Sequence, residues 1–145
     1  MNLIAVDPGK VAGVAMLNSL GHFQSVEAPW PEAMDTIDGF LAVSRGIQVA
    51  MAVESFHITA RTHRLTAQLD APYMIGACMW AAHLRNCAFM LQAPAERLIA
   101  KKAFLKSRDW WFPTKDNHRN DAAAHLVVLA LRYKVIHAPE LLEEQ

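Results

Sequence analysis

The chain has 145 residues, with 14 Lys+Arg against 14 Asp+Glu, 53% hydrophobic and 19% charged residues. That length fits one domain, residues 1–145, and the apolar share supports a real core, which excludes a disordered chain. The zero formal charge argues against a histone-like polyanion binder but leaves nucleic acid open, because binding depends on local patches rather than on the sum.

Cys78 and Cys87 cannot form a disulfide scaffold and read as buried thiols of a reducing compartment. Asp7 follows only four apolar residues, too few for a signal h-region. The apolar run 122–131 contains His125 and is too short to span a bilayer, so a soluble cytoplasmic protein is expected.

Leu3-Ile4-Ala5-Val6 is a continuous apolar run ended by Asp7-Pro8-Gly9, a buried strand feeding a tight turn. Residues 11–17 suit a second strand. Asn18-Ser19-Leu20-Gly21 is turn chemistry, and 23–28 suit a third strand, so the simplest reading is an antiparallel meander. Pro31 fits the first position of a helix whose Met34, Ile37, Phe40 and Leu41 share one face, with Gly46 placed to close it. Residues 47–53 form another buried-type strand that ends in Glu54.

A long helix is expected over 59–84, carrying Leu65, Leu69, Met74, Met79 and Trp80, with Pro72 breaking or kinking it near Asp70. A fifth strand follows at 87–91, then a basic helix over 95–106 and an aromatic turn at Trp110-Trp111-Phe112-Pro113. Asp116 or Asn117 is placed to cap a last helix running to about Tyr133. The tail from 134 is peripheral, and its acidic end, 140–145, should fray. The economical architecture is an α/β mixed sheet with helices on its faces.

Asp7 and Glu54 each end a predicted strand, and functional groups collect at the carboxyl ends of strands in open α/β sheets. If the two strands are neighbours, their carboxylates converge and need a proton or a cation between them; oxygen ligands suit Mg²⁺ or Mn²⁺. On the last helix, His118 and Asp121 are three apart and share a face. Asp7, Glu54, His118 and Asp121 are therefore the candidate catalytic and metal-binding set. His125 continues the same face, but its Ala and Leu neighbours make it a satisfied core or interface histidine rather than a ligand.

Ala5-Val6-Asp7-Pro8-Gly9-Lys10 with Gly13 resembles the first-strand motif of RuvC-type Holliday junction resolvases, in the RNase H-like superfamily. Ala52-Val53-Glu54-Ser55-Phe56 is similar to that family's acid-ended fourth strand, and His118-Arg119-Asn120-Asp121-Ala122-Ala123 to its C-terminal helix motif. Element order agrees from about residue 2 to 133. The resemblance implies an RNase H-like mixed five-stranded sheet with its first three strands antiparallel, a homodimer, and metal-dependent nicking of four-way DNA junctions that leaves a 5′-phosphate and a 3′-hydroxyl. It makes Asp7, Glu54, His118 and Asp121 the ligands of two Mg²⁺ or Mn²⁺ ions about 3.5–4 Å apart, with Glu54 or Asp7 bridging them. His118 departs from the acid that many relatives carry, which favours Mn²⁺. An aromatic that stacks on junction bases is expected just after Glu54, at Phe56 or His57.

DNA is expected to be held by Lys10, Phe56, His57, Arg61, Arg64, Lys101, Lys102 and Lys115. Residues 97–119 carry Arg97, Lys101, Lys102, Lys106, Arg108, Lys115 and Arg119 against Asp109 and Asp116. Trp110, Trp111 and Phe112 read as core or dimer packing before a stacking platform. The helix face with Met74, Met79 and Trp80 is a candidate dimer surface, or else packs on the chain's own sheet. Two rivals remain: a nuclease for flaps, forks or RNA, and a non-catalytic branched-DNA binding module on the same fold. An actin-like phosphotransferase half-domain is disfavoured because the chain lacks a second phosphate-binding turn.

Overall fold

Alternating small and branched apolar residues give each central strand two buried faces, and both are used in the computed structural model, which describes residues 1–56, 69–113 and 115–137. The elements are β1 (Asn2–Asp7), β2 (Val11–Leu17), β3 (Phe23–Pro29), α1 (Trp30–Val43), β4 (Val49–Glu54), α2 (Asp70–Leu84), β5 (Ala88–Gln92), a 3₁₀ helix (Pro94–Ile99), α3 (Lys102–Ser107) and α4 (His118–Arg132). The sheet order is β3-β2-β1-β4-β5; β1 to β3 form an antiparallel meander, and β4 and β5 run parallel to β1. The expected mixed five-stranded sheet is thus present, with helices on both faces.

One sheet face carries Leu3, Ala5, Ala15, Leu17, Ala50 and Ala52, and it packs against α4 and α3. The other carries Ile4, Val6, Val14, Met16, Met51 and Val53 beneath α1 and α2. The alanines on the first face let α4 lie close to the sheet, and ten of its residues are buried. Gly13 matters most for this seating. It pairs with Asp7 across β1 and β2, and a Cβ there would collide with the backbone carbonyl of His118. The first turn of α4 is held directly over the end of β1 because residue 13 has no side chain.

Several expected boundaries are corrected. Ser44, not Gly46, closes α1, its hydroxyl donating to the Phe40 carbonyl at 2.7 Å; Gly46 takes its positive φ of 80° in the turn beyond. Helix α2 begins at Asp70, so Pro72 falls in its first turn, where the missing N–H breaks no helical bond; the expected helical residues 59–68 lie outside the described residues, except that 69 caps α2. The basic helix over 95–106 is two elements, because Ala100 and Lys101 are extended between the 3₁₀ helix and α3. Strand β5 starts and ends one residue later than expected.

The start of α4 is also capped differently. Asn117 holds the N-cap position with φ 62° but makes no side-chain cap bond. Glu27, from β3, instead accepts the Arg119 N–H at 3.0 Å. Met74 is wholly buried against the sheet, which removes it from any dimer surface, while Met79 and Trp80 are half or more exposed. Cys78 is buried as expected, but Cys87 is only partly so; both are free thiols, and burial pushes them up to about 12 and about 11. No described helix is long and apolar enough to cross a membrane.

Candidate functional site

Strands β1 and β4 are adjacent and parallel, with Val6 opposite Val53, so Asp7 and Glu54 leave neighbouring strands at the same edge of the sheet. Both turn toward α4. That helix presents His118, Asp121 and His125 at i, i+3 and i+7, one continuous face. His118 Nδ1 lies 2.7 Å from Asp7 Oδ2, and His125 Nε2 lies 2.6 Å from Glu54 Oε2. Arg97, from the 3₁₀ helix, donates from Nη1 to Glu54 Oε2 at 2.9 Å and sets Nε 3.6 Å from Asp121 Oδ1.

All four predicted ligands are therefore gathered at one edge, but each carboxylate is already engaged: Asp7 by His118, Glu54 by His125 and Arg97, and Asp121 by Arg97. Among the described residues, no three Asp, Glu, His or Cys groups stand together as an ion-holding cluster. The donor set nevertheless fits a hard divalent cation in kind, since it is oxygen-rich and the protein's own guanidinium already bridges two of its carboxylates.

The electrostatics follow from this crowding. Burial raises Asp7 from 3.8 to about 6; Glu54 and Asp121 push it the same way, while the His118 hydrogen bond pulls against them. Burial also pushes Glu54 upward, but the hydrogen bond and charge of His125 together with Arg97 outweigh it and hold Glu54 below its ordinary value. Asp121 is raised by burial and by Glu54 in spite of Arg97. Burial alone would lower Arg97, but Asp121 and Glu54 raise it. Two carboxylates whose charge is disfavoured by burial, beside one whose charge is held by His125 and Arg97, form a site that gains from added positive charge.

The loop before α4 is fixed by Asn120. Its Oδ1 accepts the Phe112 N–H at 2.9 Å, and its Nδ2 donates to the Phe112 carbonyl at 2.7 Å. Arg119 donates from Nε to Ser25 Oγ at 2.7 Å and stacks 3.5 Å over the Phe112 ring. Trp110 is buried, stacked on Phe23 at 4.6 Å and edge-on to Phe104. Trp110 is thus core, and Phe112 is covered by Arg119.

Of the expected DNA contacts, Lys10, Lys101, Lys102 and Lys115 are exposed, with Lys102 Nζ 4.5 Å over the Trp111 ring, and Phe56 is partly exposed. His57, Arg61 and Arg64 lie outside the described residues.

Two site residues, Gln92 and Arg97, were missed from sequence, and so were the partners of His125. His125 is wholly buried and satisfied, as expected of a core histidine, and what the sequence did not show is that Glu54 is one of the groups that satisfy it. Gln92 is paired in register with Glu54 across β4 and β5 and lies 2.7 Å from His125 Nδ1. Arg97 gave no local signal, because its placement depends on the 3₁₀ helix bringing it back over the sheet edge.

The sequence matches no protein-family profile and no curated protein. The fold is similar to solved structures of RuvC from Thermus thermophilus. A complex of T. thermophilus RuvC with Holliday junction substrate superimposes with a TM-score of 0.63 at 17% identity, covering 93% of this chain and 96% of that one. A second T. thermophilus RuvC structure gives 0.62 at 20% identity over the same shares. The chain has a RuvC-like, RNase H-type fold.

Proposed function

We propose that this chain is a metal-dependent endonuclease that nicks branched DNA, four-way junctions first among its substrates. The observation that carries the reading is the meeting of Asp7, Glu54, His118 and Asp121 from three separate elements at the carboxyl edge of a RuvC-like sheet. A binding module would have no use for three acids where a phosphate must approach.

Asp7, Glu54, Asp121 and His118 would hold Mg²⁺ or Mn²⁺, which supplies charge to the reacting phosphate and activation of a water at neutral pH. The chain's own residues do the rest. Helix α4 rests on Gly13 and Asn120, so His118 and Asp121 are held fixed relative to the strand-end acids. His118 hydrogen-bonds Asp7 across 2.7 Å and keeps that carboxylate oriented. Arg97 balances Glu54 and Asp121 while no phosphate or ion is present, and is placed to turn toward a phosphate oxygen once they are neutralised otherwise.

DNA would run over the exposed Lys10, Lys101, Lys102 and Lys115, with the partly exposed Phe56, two residues after Glu54, as the stacking candidate. Cutting two strands of a junction symmetrically takes two copies. The exposed Tyr73, Trp80 and Leu84 of α2 form the apolar surface proposed to join them; light scattering on the purified protein should give a dimer, and a strict monomer would contradict this part.

The test compares cleavage of a four-way junction, a flap, a fork, linear duplex and an RNA/DNA hybrid in Mg²⁺ and in Mn²⁺. Preferential paired nicking of the junction supports the reading. Preference for flaps or forks replaces it with a broader structure-specific nuclease, and binding without cleavage in either ion replaces it with a non-catalytic module.

A further inference from the structure

A buried imidazole whose two nitrogens both meet side chains is seldom inert, and His125 is one. It is wholly buried on α4, with Nε2 2.6 Å from Glu54 Oε2 and Nδ1 2.7 Å from the Gln92 carboxamide. Gln92 is wholly buried too, and its Nε2 is the one buried side-chain polar atom among the described residues without a hydrogen-bond partner. As placed, the imidazole faces two acceptors, Gln92 Oε1 and the Glu54 carboxylate.

Turning the carboxamide end for end resolves both features. The Gln92 N–H₂ then donates to Nδ1, the orphaned amide group gains a partner, and the ring N–H is confined to Nε2, aimed at Glu54. An unpaired carbonyl oxygen replaces an unpaired N–H₂, the less costly of the two. With the amide so turned, the one N–H of the neutral ring points at the carboxylate.

We infer that His125, oriented by Gln92, is a positioning residue that fixes one oxygen of Glu54 so that its other oxygen faces outward to receive a cation. This rests on the proposed metal-dependent reading of the site. The chain Gln92–His125–Glu54 crosses from β5 through α4 to β4, so it ties the helix to the two strands at the point where the acids meet. Arg97, partly exposed, holds the same Glu54 Oε2 at 2.9 Å, which leaves Oε1 as the oxygen that neither partner engages within hydrogen-bonding distance. Outer partners of this kind orient a ligand without touching the ion, and their loss typically costs about 10–100-fold in metal affinity or activity.

The experiment uses the full chain and Mn²⁺ alone, titrated by calorimetry, beside steady-state cleavage of a four-way junction. His125→Leu fills the space but removes the donor; His125→Gln keeps an N–H near the Nε2 position; Gln92→Leu leaves His125 unoriented. The expected result is a roughly 10–100-fold loss of Mn²⁺ affinity and kcat in His125→Leu, with KM for the junction unchanged, and recovery of most of the loss in His125→Gln. Gln92→Leu should show a smaller loss in the same direction, and the double variant His125→Leu/Gln92→Leu no more than His125→Leu alone, since Gln92 acts through His125.

A folded His125→Leu with unchanged Mn²⁺ affinity overturns the inference. If His125→Leu does not fold, the comparison rests on Gln92→Leu, and wild-type Mn²⁺ affinity and kcat in that variant overturn it. A wild-type chain that binds Mn²⁺ but cleaves no branched DNA defeats the proposed function, while the calorimetric comparison still decides the role of His125.

Discussion

Replacing Asp7 with Asn should stabilise the metal-free protein at neutral pH. Asp7 sits in a buried, acid-rich corner, its side chain only 10% exposed, and is raised from 3.8 to about 6. A group whose pKa is raised on folding contributes stability that is complete below its unfolded value and lost as the pH climbs through its folded value. For Asp7 that window runs from 3.8 to about 6. Above it, holding the charge in the fold costs roughly 3 kcal/mol, from a shift of about two pH units at 1.36 kcal/mol each.

Asparagine removes this cost and keeps an oxygen to accept from His118. The pull of the His118 bond on the charged form is already contained in the value of about 6, so its loss adds no separate cost. The net gain is about 3 kcal/mol, or roughly 6–12 °C in Tm for a chain of this size. Thermal unfolding in EDTA at pH 7.5 should therefore show Asp7→Asn above wild type, and at pH 4 the gap should close or reverse. Saturating Mn²⁺ at pH 7.5 should raise wild type and leave Asp7→Asn behind, because only a site with its full set of acids gains from the ion. A variant less stable than wild type in EDTA at pH 7.5, or a gap that does not change with pH, would refute the reasoning.

Other consequences are independent of that titration. Gly13→Ala should cost about 1–3 kcal/mol by overpacking, and should abolish junction cleavage because the His118 end of α4 must move off Asp7; urea unfolding and a cleavage assay read the two effects. Arg97→Ala should lower metal-free stability by no more than about 1 kcal/mol, the guanidinium being partly solvated, yet show a larger Mn²⁺-induced rise in Tm than wild type, since no cation then competes for Glu54 and Asp121. Charge reversal at Lys101, Lys102 and Lys115 should weaken junction binding across sequences and reduce its salt slope by roughly one for each phosphate no longer neutralised; an unchanged slope in a fluorescence titration would exclude these lysines from the DNA path.

Much of the site was legible because two periodicities expose it. The apolar run into Asp7 and the run into Glu54 each mark a buried strand with an acid at its carboxyl end, and period-two alternation puts both acids on the alanine-lined face. The three-residue spacing of His118 and Asp121 needs only a helix to bring them to one side. What stayed hidden depends on groups distant in sequence. Glu27 accepts a first-turn N–H of α4 from a strand 92 residues away, so local chemistry placed the N-cap at Asn117 but did not show which side chain bonds the helix start.

Arg97 reaches the acids only because the expected basic helix breaks at Ala100, a break that residue propensity does not announce. His125 looked like core because its neighbours in sequence are apolar. It is core by burial, but the Glu54 and Gln92 that meet it come from two strands. The zero net charge likewise conceals a division: an acid-rich first part that supplies Asp7 and Glu54, and a basic stretch over 97–119 that supplies Arg97 and the exposed lysines.

The central claim is that these acids cut branched DNA with a divalent ion, and a cleavage assay on a mobile four-way junction with an Asp7→Asn control tests it most directly. Paired nicks, symmetric across the junction, are predicted in Mg²⁺ or Mn²⁺, with no nicking by Asp7→Asn even though that variant still binds the junction. Failure of the wild-type protein to cleave in either ion, or full nicking by Asp7→Asn, would contradict it.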